Sequence, residues 1–175
     1  FLVKSGIITA AGSGNRFGGA KQFKMLNGKP LYQHSLDLFL KSNLFDELIL
    51  VVASDVKEEI SNELKSKYGS QIGLVNGGVS RRDSVEKAIR SSNSMTDIVV
   101  VHDAARPFIT IKLIEKCISS CMSSDGAIIA IQPNDTVKYS ENNKVQKTID
   151  RSKIWLAQTP QAFFKQKILK AYENI

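Results

Sequence analysis

Glycines and two cations are concentrated near the start of the chain, where residues 7–22 read IITAAGSGNRFGGAKQ and carry Arg16 and Lys21. Glycine tolerates positive φ and lets backbone N–H groups approach a ligand closely, so a glycine-rich turn after an apolar strand can cradle phosphate. Two cations in such a loop favour a triphosphate ligand. The alternative interpretation is a surface turn whose cations remain solvated.

Spacing separates the known phosphate-binding motifs. From Gly12 the chain reads GSGNRF, with Phe17 where the dinucleotide-binding pattern G-x-G-x-x-G requires its third glycine. From Gly14 it reads GNRFGGAKQ, so the lysine comes one place late for a Walker loop and no Ser or Thr follows it. The remaining pattern, A-A-G-x-G-x-R-(x)n-K-Q, resembles the signature of nucleotidyltransferases that join a nucleoside triphosphate to a phosphorylated small molecule.

Composition and charge narrow the class of ligand. The 175 residues suit one domain with a sizeable core, since 42% are hydrophobic and 23% are charged. A formal net charge of +7 and a pI near 9.4 favour an anionic partner. The basic residues are spread along the chain, and four Tyr and one Trp offer little for base stacking. We therefore expect a phosphorylated metabolite and no nucleic acid.

The sequence shows no pattern of a membrane segment or of a secretory leader. No apolar run approaches the roughly 20 residues of a membrane span, and the start FLVKSGII lacks a separate basic region and a small-residue cleavage site. We expect a cytoplasmic protein without membrane contact. The chain begins without Met and stops at Ile175 inside a helical pattern, so we also expect one or both ends to be cut short.

Apolar runs alternate with helical patterns along residues 5–132. Strands are predicted at 5–10, 47–53, 72–75, 97–102 and 127–132, and helices from Pro30 and at 56–67, 80–90 and 110–122. Repeated βα units imply an α/β fold with a doubly wound, mostly parallel sheet and a site at the carboxyl ends of its strands. We expect residues 1–175 to form a single domain.

Residues 133–151 break this rhythm. PNDTVKYSENNKVQKTIDR alternates apolar and polar residues on both sides of residues 141–143, which predicts a β-hairpin inserted between core elements. An arm with so little core of its own favours contact with a partner subunit. The alternative is an ordinary hairpin at the edge of the sheet.

A second chemical pattern, GGVSRRDSV, occupies residues 77–85. Ser80 and Asp83 have the spacing of a capping box, which accounts for both as the start of a helix. Capping does not account for the glycine pair before them, which would let the backbone approach a nucleotide base, or for Ser84 one turn into the helix.

The last two patterns contain a carboxylate and a cation. In VHDAARPF, residues 101–108, Asp103 falls just past a predicted strand, where a carboxylate can meet a magnesium ion. Asp103 could instead cap the following turn. Further on, Arg151 is followed by the stretch WLAQTPQ, which contains Thr159. This arginine and this hydroxyl could receive a phosphate, although an isolated arginine is more often a surface residue.

Taken together, the motifs AAGSGNR, KQF, GGVSRRDSV, VHDAARPF, DTVK and DRSKIWLAQTPQAF closely resemble the 2-C-methyl-D-erythritol 4-phosphate cytidylyltransferase family, in the family's order from end to end. The resemblance implies a Rossmann-like sheet with an inserted β-arm that forms a homodimer. It also implies that CTP and a polyol phosphate are the substrates, that Mg²⁺ is the cofactor, and that pyrophosphate is a product.

The resemblance also assigns roles to residues. Arg16 and Lys21 would be catalytic and would clasp the triphosphate, and Asp103 would hold the metal. The nucleotide would lie against Ala10, Ala11, Gly12, Gly78, Ser84, Asp103 and Ala104. The acceptor's phosphate would meet Thr136, Arg151 and Thr159, with the arm residues supplied by the other subunit.

The chemistry implied needs no general base, because a phosphate monoester is already an anionic nucleophile. The protein's task would be to position two anions and to stabilise the charge that gathers on the α-phosphoryl oxygens and the leaving pyrophosphate. Two alternatives stay open from the sequence. One is a ribitol 5-phosphate cytidylyltransferase, and the other is a non-catalytic nucleotide-binding protein of the same fold.

Overall fold

A computed structural model describes residues 1–12, 14 and 18–174 of the chain. Within these residues, strands and helices alternate in the manner of an α/β protein. The strands are β1 (Lys4–Ala10), β2 (Met25–Leu26), β3 (Lys29–Pro30), β4 (Glu47–Val52), β5 (Ile72–Asn76), β6 (Ile98–Asp103), β7 (Gly126–Ile131), β8 (Val137–Glu141), β9 (Lys144–Ile149) and β10 (Leu156–Phe164). The helices are α1 (Leu31–Ser42), α2 (Lys57–Tyr68), α3 (Arg81–Ser91), α4 (Ile111–Cys121) and α5 (Lys165–Glu173).

Six strands form the central sheet in the order β5-β4-β1-β6-β10-β7. The pairs β5–β4, β4–β1 and β1–β6 are parallel, whereas β10 is antiparallel to both of its neighbours. The predicted doubly wound, mostly parallel sheet is confirmed. Its order reverses beside β1, so the carboxyl ends of β1 and β6 border the crevice in which such sheets bind ligands.

Both faces of this sheet are covered by helices, which is why its central strands are continuous apolar runs. Leu36 of α1, Leu64 of α2 and Ile114 of α4 pack on one face. Ile89 of α3 and Ile168 of α5 pack on the other face. None of the helices in the described part of the chain combines the length and apolar character that a membrane span requires.

The strand β10 was not predicted from the sequence. It lies between β6 and β7, and its register with β7 shifts between Ala157 and Gln161. Pro160 lies inside the shifted segment and has no N–H to donate to a ladder, so the stretch lacks the usual pattern of a central strand. The irregularity turns the preceding residue, Thr159, toward the end of β6.

The predicted hairpin is confirmed as a separate two-stranded sheet of β8 and β9. Asn142 and Asn143 form its turn with φ of 49° and 60°, the left-handed conformation that a tight hairpin turn requires. No residue between 133 and 150 is buried in the single chain. A two-stranded ribbon with so little buried surface is marginal on its own.

A polar cluster fastens the β2–β3 turn to the helical layer. Asp37 of α1 accepts hydrogen bonds from the ammonium group of Lys29 in β3 and from the hydroxyl of Tyr68 at the end of α2. Burial acts to raise the pKa of Asp37, but these two hydrogen bonds hold the pKa below its usual value. The ionised carboxylate therefore helps to hold the segment that follows the glycine loop.

We expect Asp37→Asn to lower the free energy of unfolding by about 1–3 kcal/mol at pH 7, because the amide cannot accept both hydrogen bonds. A carboxylate whose pKa is lowered by folding stabilises the protein above its ordinary pKa and stops doing so as the pH falls through the folded-state value. The difference from wild type should therefore shrink below about pH 4. Urea unfolding at pH 7 and pH 3 measures it. Asp55→Asn, at an exposed position, is the matched control, and a difference that is constant across this range would contradict the prediction.

Candidate active site

A cleft of about 770 Å³ opens at the carboxyl ends of β1 and β6. Its walls are the glycine loop after β1, the turn before α3 and the turn after β6. Among the described residues that line it, Lys21, Arg81 and Arg106 are cationic and Asp103 is the only carboxylate. The cleft therefore carries an excess of positive charge, which suits a polyanionic ligand.

Gln22 holds the glycine loop in place. Its side-chain amide is buried and donates hydrogen bonds of 2.8 Å to the backbone carbonyls of both Ala10 and Gly12. Ala11 and Gly12 line the cleft, whereas Ala10 is buried behind them. The sequence placed Gln22 in the KQF motif without giving it a role, because its partners are backbone atoms that only the folded loop brings near.

Lys21 begins the short helical turn Lys21–Phe23 and lines the cleft. Its contact with phosphate stays a prediction. Arg16, the other predicted catalytic cation, lies outside the described residues. Its role stays a prediction.

The turn before α3 has the predicted capping box. The Ser80 side chain accepts from the backbone of Asp83, and the Asp83 carboxylate accepts from the backbone of Ser80. Gly78 packs so closely on the helix start that a Cβ there would lie 2.4 Å from the Cβ of Asp83. The N–H of Gly78 donates to the Ser84 hydroxyl at 3.0 Å, and this hydroxyl donates to the Ser80 carbonyl at 2.9 Å. Ser84 thus shapes the turn as well as lining the cleft.

Asp103 lies between two arginines that sequence reasoning did not single out. Arg81, the first residue of α3, donates to Asp103 Oδ1 from Nε at 3.1 Å and from Nη2 at 3.0 Å. Arg106 donates from Nε to Oδ2 at 3.2 Å, and the Thr9 hydroxyl donates to Oδ1 at 3.3 Å. Burial acts to raise the pKa of Asp103, but the two guanidinium groups hold the pKa below its usual value. Both arginines lie in motifs that mark the site, although arginine spacing alone does not reveal a shared carboxylate.

Two predicted site residues support the cleft from behind. Ala104 is fully buried, and its N–H donates to the Thr9 carbonyl at 3.0 Å. Thr159 is 7% exposed, and its hydroxyl lies 2.9 Å from His102 Nδ1 and accepts the N–H of Asp103 at 3.2 Å. Direct contact of Ala104 with the nucleotide and of Thr159 with an acceptor phosphate stays a prediction.

The predicted acceptor residues Thr136 and Arg151 are outside the lining of this cleft. The hairpin register pairs Val137 with Ile149, so Thr136 and Arg151 lie together at the base of the arm although they are distant in sequence. Arg151 is exposed and donates to the backbone carbonyl of Asn134. One chain therefore places both residues at the base of the arm, outside the lining of the cleft.

The donor set of the cleft fits a magnesium ion that is shared with a substrate. The described residues contain no cluster of three or more His, Cys, Asp or Glu side chains. Mg²⁺ is commonly held by one or two carboxylates together with substrate phosphates. Each carboxylate oxygen can accept in two directions, and among the described residues Arg106 alone bonds to Asp103 Oδ2. Asp103 can therefore offer an oxygen ligand while it keeps its arginine partners.

A glycine loop and a cationic cleft at the switch point of a doubly wound sheet define a nucleotide-binding α/β protein. Comparison with known proteins identifies the family within this class. The model of the family IspD, 2-C-methyl-D-erythritol 4-phosphate cytidylyltransferase, matches residues 5–175, and the chain belongs to this family.

Individual relatives agree with this assignment. The chain is 40% identical over 169 residues to the 2-C-methyl-D-erythritol 4-phosphate cytidylyltransferase of Caldicellulosiruptor bescii, covering 95% of this chain and 75% of the relative. It is 42% identical over 176 residues to the enzyme of that name from Clostridium acetobutylicum, covering 96% and 75%. The crystal structure of 4-diphosphocytidyl-2C-methyl-D-erythritol synthase from Anaerococcus prevotii superposes with a TM-score of 0.86 at 32% identity, covering 99% of this chain and 76% of that one.

We expect Gln22→Leu to weaken binding of CTP by about tenfold or more, because two loop carbonyls lose their donor at a cost of about 1–3 kcal/mol. Titration calorimetry with CTP measures the dissociation constant. Gln166→Leu, at an exposed position of α5, is the matched control for the loss of an amide. A folded Gln22→Leu protein that binds CTP as tightly as the control would show that the amide does not hold the loop in its binding conformation.

Proposed function

We propose that the cleft transfers the cytidylyl group of CTP to 2-C-methyl-D-erythritol 4-phosphate, the reaction of its family. The products are 4-diphosphocytidyl-2-C-methyl-D-erythritol and pyrophosphate, on the route to isoprenoid precursors. Membership of the cytidylyltransferase family carries this conclusion. The family match also decides against the ribitol 5-phosphate alternative, which the sequence motifs alone left open.

The reaction is an in-line displacement at the α-phosphorus of CTP. An oxygen of the acceptor's phosphate forms the new P–O bond, and the bond to the bridging oxygen of the pyrophosphate breaks. No proton has to be removed from the nucleophile. The described residues that line the cleft include no histidine or cysteine, and their only carboxylate is paired with two arginines. This composition agrees with catalysis by placement and charge.

Positive charge is the main contribution of the chain to such a transition state. Lys21, which lines the cleft, is proposed to contact the triphosphate together with Arg16. Arg81 and Arg106 add two guanidinium groups whose side chains are 51% and 42% exposed. Preorganised cations of this kind stabilise the charge that develops on the phosphoryl oxygens and on the leaving group.

Recognition of the base is assigned to the turn before α3. The Gly78 N–H is bonded to Ser84, so the backbone of this turn is held in one conformation beside the cleft. Val79 projects from the same turn with its side chain fully exposed. A rigid backbone edge can select a small pyrimidine, which accounts for a preference for CTP over purine triphosphates.

Asp103 is the proposed protein ligand of Mg²⁺. When bound, the ion would offset negative charge on the triphosphate oxygens that it contacts. Asp103 is suited to this role because its lowered pKa keeps it ionised and because it faces the same cleft as Lys21.

A homodimer formed through the arm is also proposed. The support is physical: the β8–β9 hairpin has no buried residue of its own, and Thr136 and Arg151 lie at its base outside the cleft lining. If the arm of one chain approaches the cleft of its partner, these two residues reach the acceptor's phosphate from the other subunit. The expected cytoplasmic location stays a prediction.

Pyrophosphate release tests the assignment most directly. With CTP, 2-C-methyl-D-erythritol 4-phosphate and Mg²⁺ we expect turnover, because each substrate has its complement in the site. Ribitol 5-phosphate as acceptor and ATP as donor are expected to give far less product.

Removal of divalent cations by a chelator should abolish turnover without unfolding the protein, as followed by circular dichroism. Equal turnover with ribitol 5-phosphate would overturn the acceptor assignment, and full activity in the chelator would overturn the role of the metal.

Mixed dimers test whether one site needs two chains. Lys21→Ala and Arg151→Ala should each lower kcat by roughly 10²-fold or more, as expected for loss of one preorganised cation. In a symmetric dimer, a heterodimer of these two variants places both defects in one site and leaves the other intact. Statistical mixing makes half of the dimers heterodimers with one good site each, so about a quarter of wild-type activity should return in the mixture and about half in the purified heterodimer.

The measurement uses two affinity tags, co-expression and tandem purification of the heterodimer. Each inactive parent, purified through both tags, is the control for tag effects. A verified heterodimer that is as inactive as its parents would show that each site is built within one chain, and the arm would then have a structural role only.

A further inference from the structure

His102 is a buried imidazole directly behind the cleft, and no sequence motif or proposed step gives it a role. It is 0% exposed and stacks on Phe39, with ring centroids 5.4 Å apart. Both of its ring nitrogens are hydrogen-bonded. Nε2 lies 3.1 Å from the backbone carbonyl of Arg106, and Nδ1 lies 2.9 Å from the Thr159 hydroxyl.

The partners determine the direction of every hydrogen bond in this chain. A carbonyl can only accept, so Nε2 carries the hydrogen and donates it to Arg106. In an imidazole that carries its hydrogen on Nε2, Nδ1 is the acceptor. Thr159 therefore donates its hydroxyl hydrogen to Nδ1. The same hydroxyl oxygen accepts the backbone N–H of Asp103.

This chain of bonds joins the two ends of one short turn. The N–H of Arg106 donates to the Asp103 carbonyl at 3.0 Å, which closes the turn from Asp103 to Arg106. His102 holds the carbonyl at one end, and through Thr159 it holds the N–H at the other end. The side chains of Asp103 and Arg106, which project from this turn, pair with each other in the cleft.

The ladder of the sheet does not supply this support. Strand β10 pairs with β6 only from Gln161, opposite Val101, to Phe164, opposite Ile98. Pro160, just before this paired segment, has no N–H to donate. The Asp103 N–H therefore meets a side-chain hydroxyl where a regular ladder would offer a carbonyl. A position held by side chains can be altered by mutation while the strands stay paired.

We propose that His102, acting through Thr159, is a positioning residue for nucleotidyl transfer, fixing the backbone from which Asp103 and Arg106 reach the substrates. The proposal rests on the proposed function, because it assigns Asp103 and Arg106 to that reaction. A shift of about 1 Å in such groups can lower the rate by about 10²-fold without loss of the fold.

The chain of hydrogen bonds from the Arg106 carbonyl through His102 and Thr159 to the Asp103 N–H is called the relay below. Two variants break it at different residues. His102→Phe keeps a ring stacked on Phe39 but removes both hydrogen bonds, and Thr159→Val keeps the shape of the side chain but removes the hydroxyl. Each should lower kcat by about tenfold or more while the KM values for CTP and the acceptor change by less than about threefold. The double variant should be no worse than the more affected single variant, because both changes break one chain of bonds.

His34→Phe is the matched control. His34 also bonds a backbone carbonyl, that of Leu26, at 2.8 Å, but it lies outside the cleft. Its replacement should lower the melting temperature without lowering kcat. Equal kcat values for His102→Phe and His34→Phe would overturn the proposal. A Thr159→Val effect confined to the acceptor's KM and additive with His102→Phe would also overturn it, because that pattern indicates direct phosphate contact. If His102→Phe does not fold, Thr159→Val alone decides the question.

A spectroscopic measurement separates this proposal from the function itself. In ¹⁵N spectra of the wild-type protein at pH 7, His102 should be the neutral tautomer with its hydrogen on Nε2, and Thr159→Val should shift the Nδ1 resonance. The opposite tautomer, or an unchanged Nδ1 resonance, would overturn the relay even in an active enzyme. A wild-type protein that shows the expected tautomer but does not release pyrophosphate from CTP and the acceptor would instead overturn the proposed function.

Discussion

The ion pairs of Asp103 with Arg81 and Arg106 are the constraint around which the cleft is built. Two guanidinium groups that point into one cavity repel each other unless an anion lies between them. Asp103 supplies that anion, and its own burial would be unfavourable without the two cations. Elements far apart in the chain meet at this carboxylate, because Arg81 begins α3 and Thr9 of β1 adds a hydroxyl hydrogen bond. Arg106 comes from the turn that directly follows Asp103.

The strength of these pairs suits a binding site. Both arginine side chains are about half exposed, and exposed ion pairs contribute only about 0–1 kcal/mol each. Asp103 therefore holds the guanidinium groups at the cleft through ion pairs that are weak enough to be exchanged for another anion. An incoming triphosphate carries more negative charge than one carboxylate. It can therefore attract Arg81 and Arg106, and breaking their ion pairs with Asp103 costs little free energy. In the absence of ligand, the ion pairs hold both arginines close to the positions in which they would bind a phosphate.

Sequence reasoning succeeded where a local pattern has one structural meaning. The long apolar runs correctly predicted the parallel strands, and the alternation around residues 141–143 correctly predicted the hairpin. Because Asp103 follows the end of a predicted strand, its position at the cleft was also predicted. It did not find Gln22 or Arg81, because a glutamine beside a lysine and an arginine at a helix start are common on protein surfaces. Their partners are a pair of loop carbonyls and a carboxylate that only the assembled sheet brings within reach. Strand β10 was missed because Pro160 interrupts its pattern.

The geometry of the arm limits how two chains can share one site. Thr136 and Arg151 lie together at the base of the arm because the pairing of β8 with β9 begins next to them, at Val137 and Ile149. The turn of Asn142 and Asn143 is at the far end of the arm. If both residues serve one acceptor phosphate, the base of the arm must face the partner's cleft, and the tip must extend past it. The hydrogen bond from Arg151 to the Asn134 carbonyl ties this arginine to the chain that enters the arm. The proposed acceptor site would therefore move with the arm as one piece, and its alignment with Asp103 would depend on how the subunits pack.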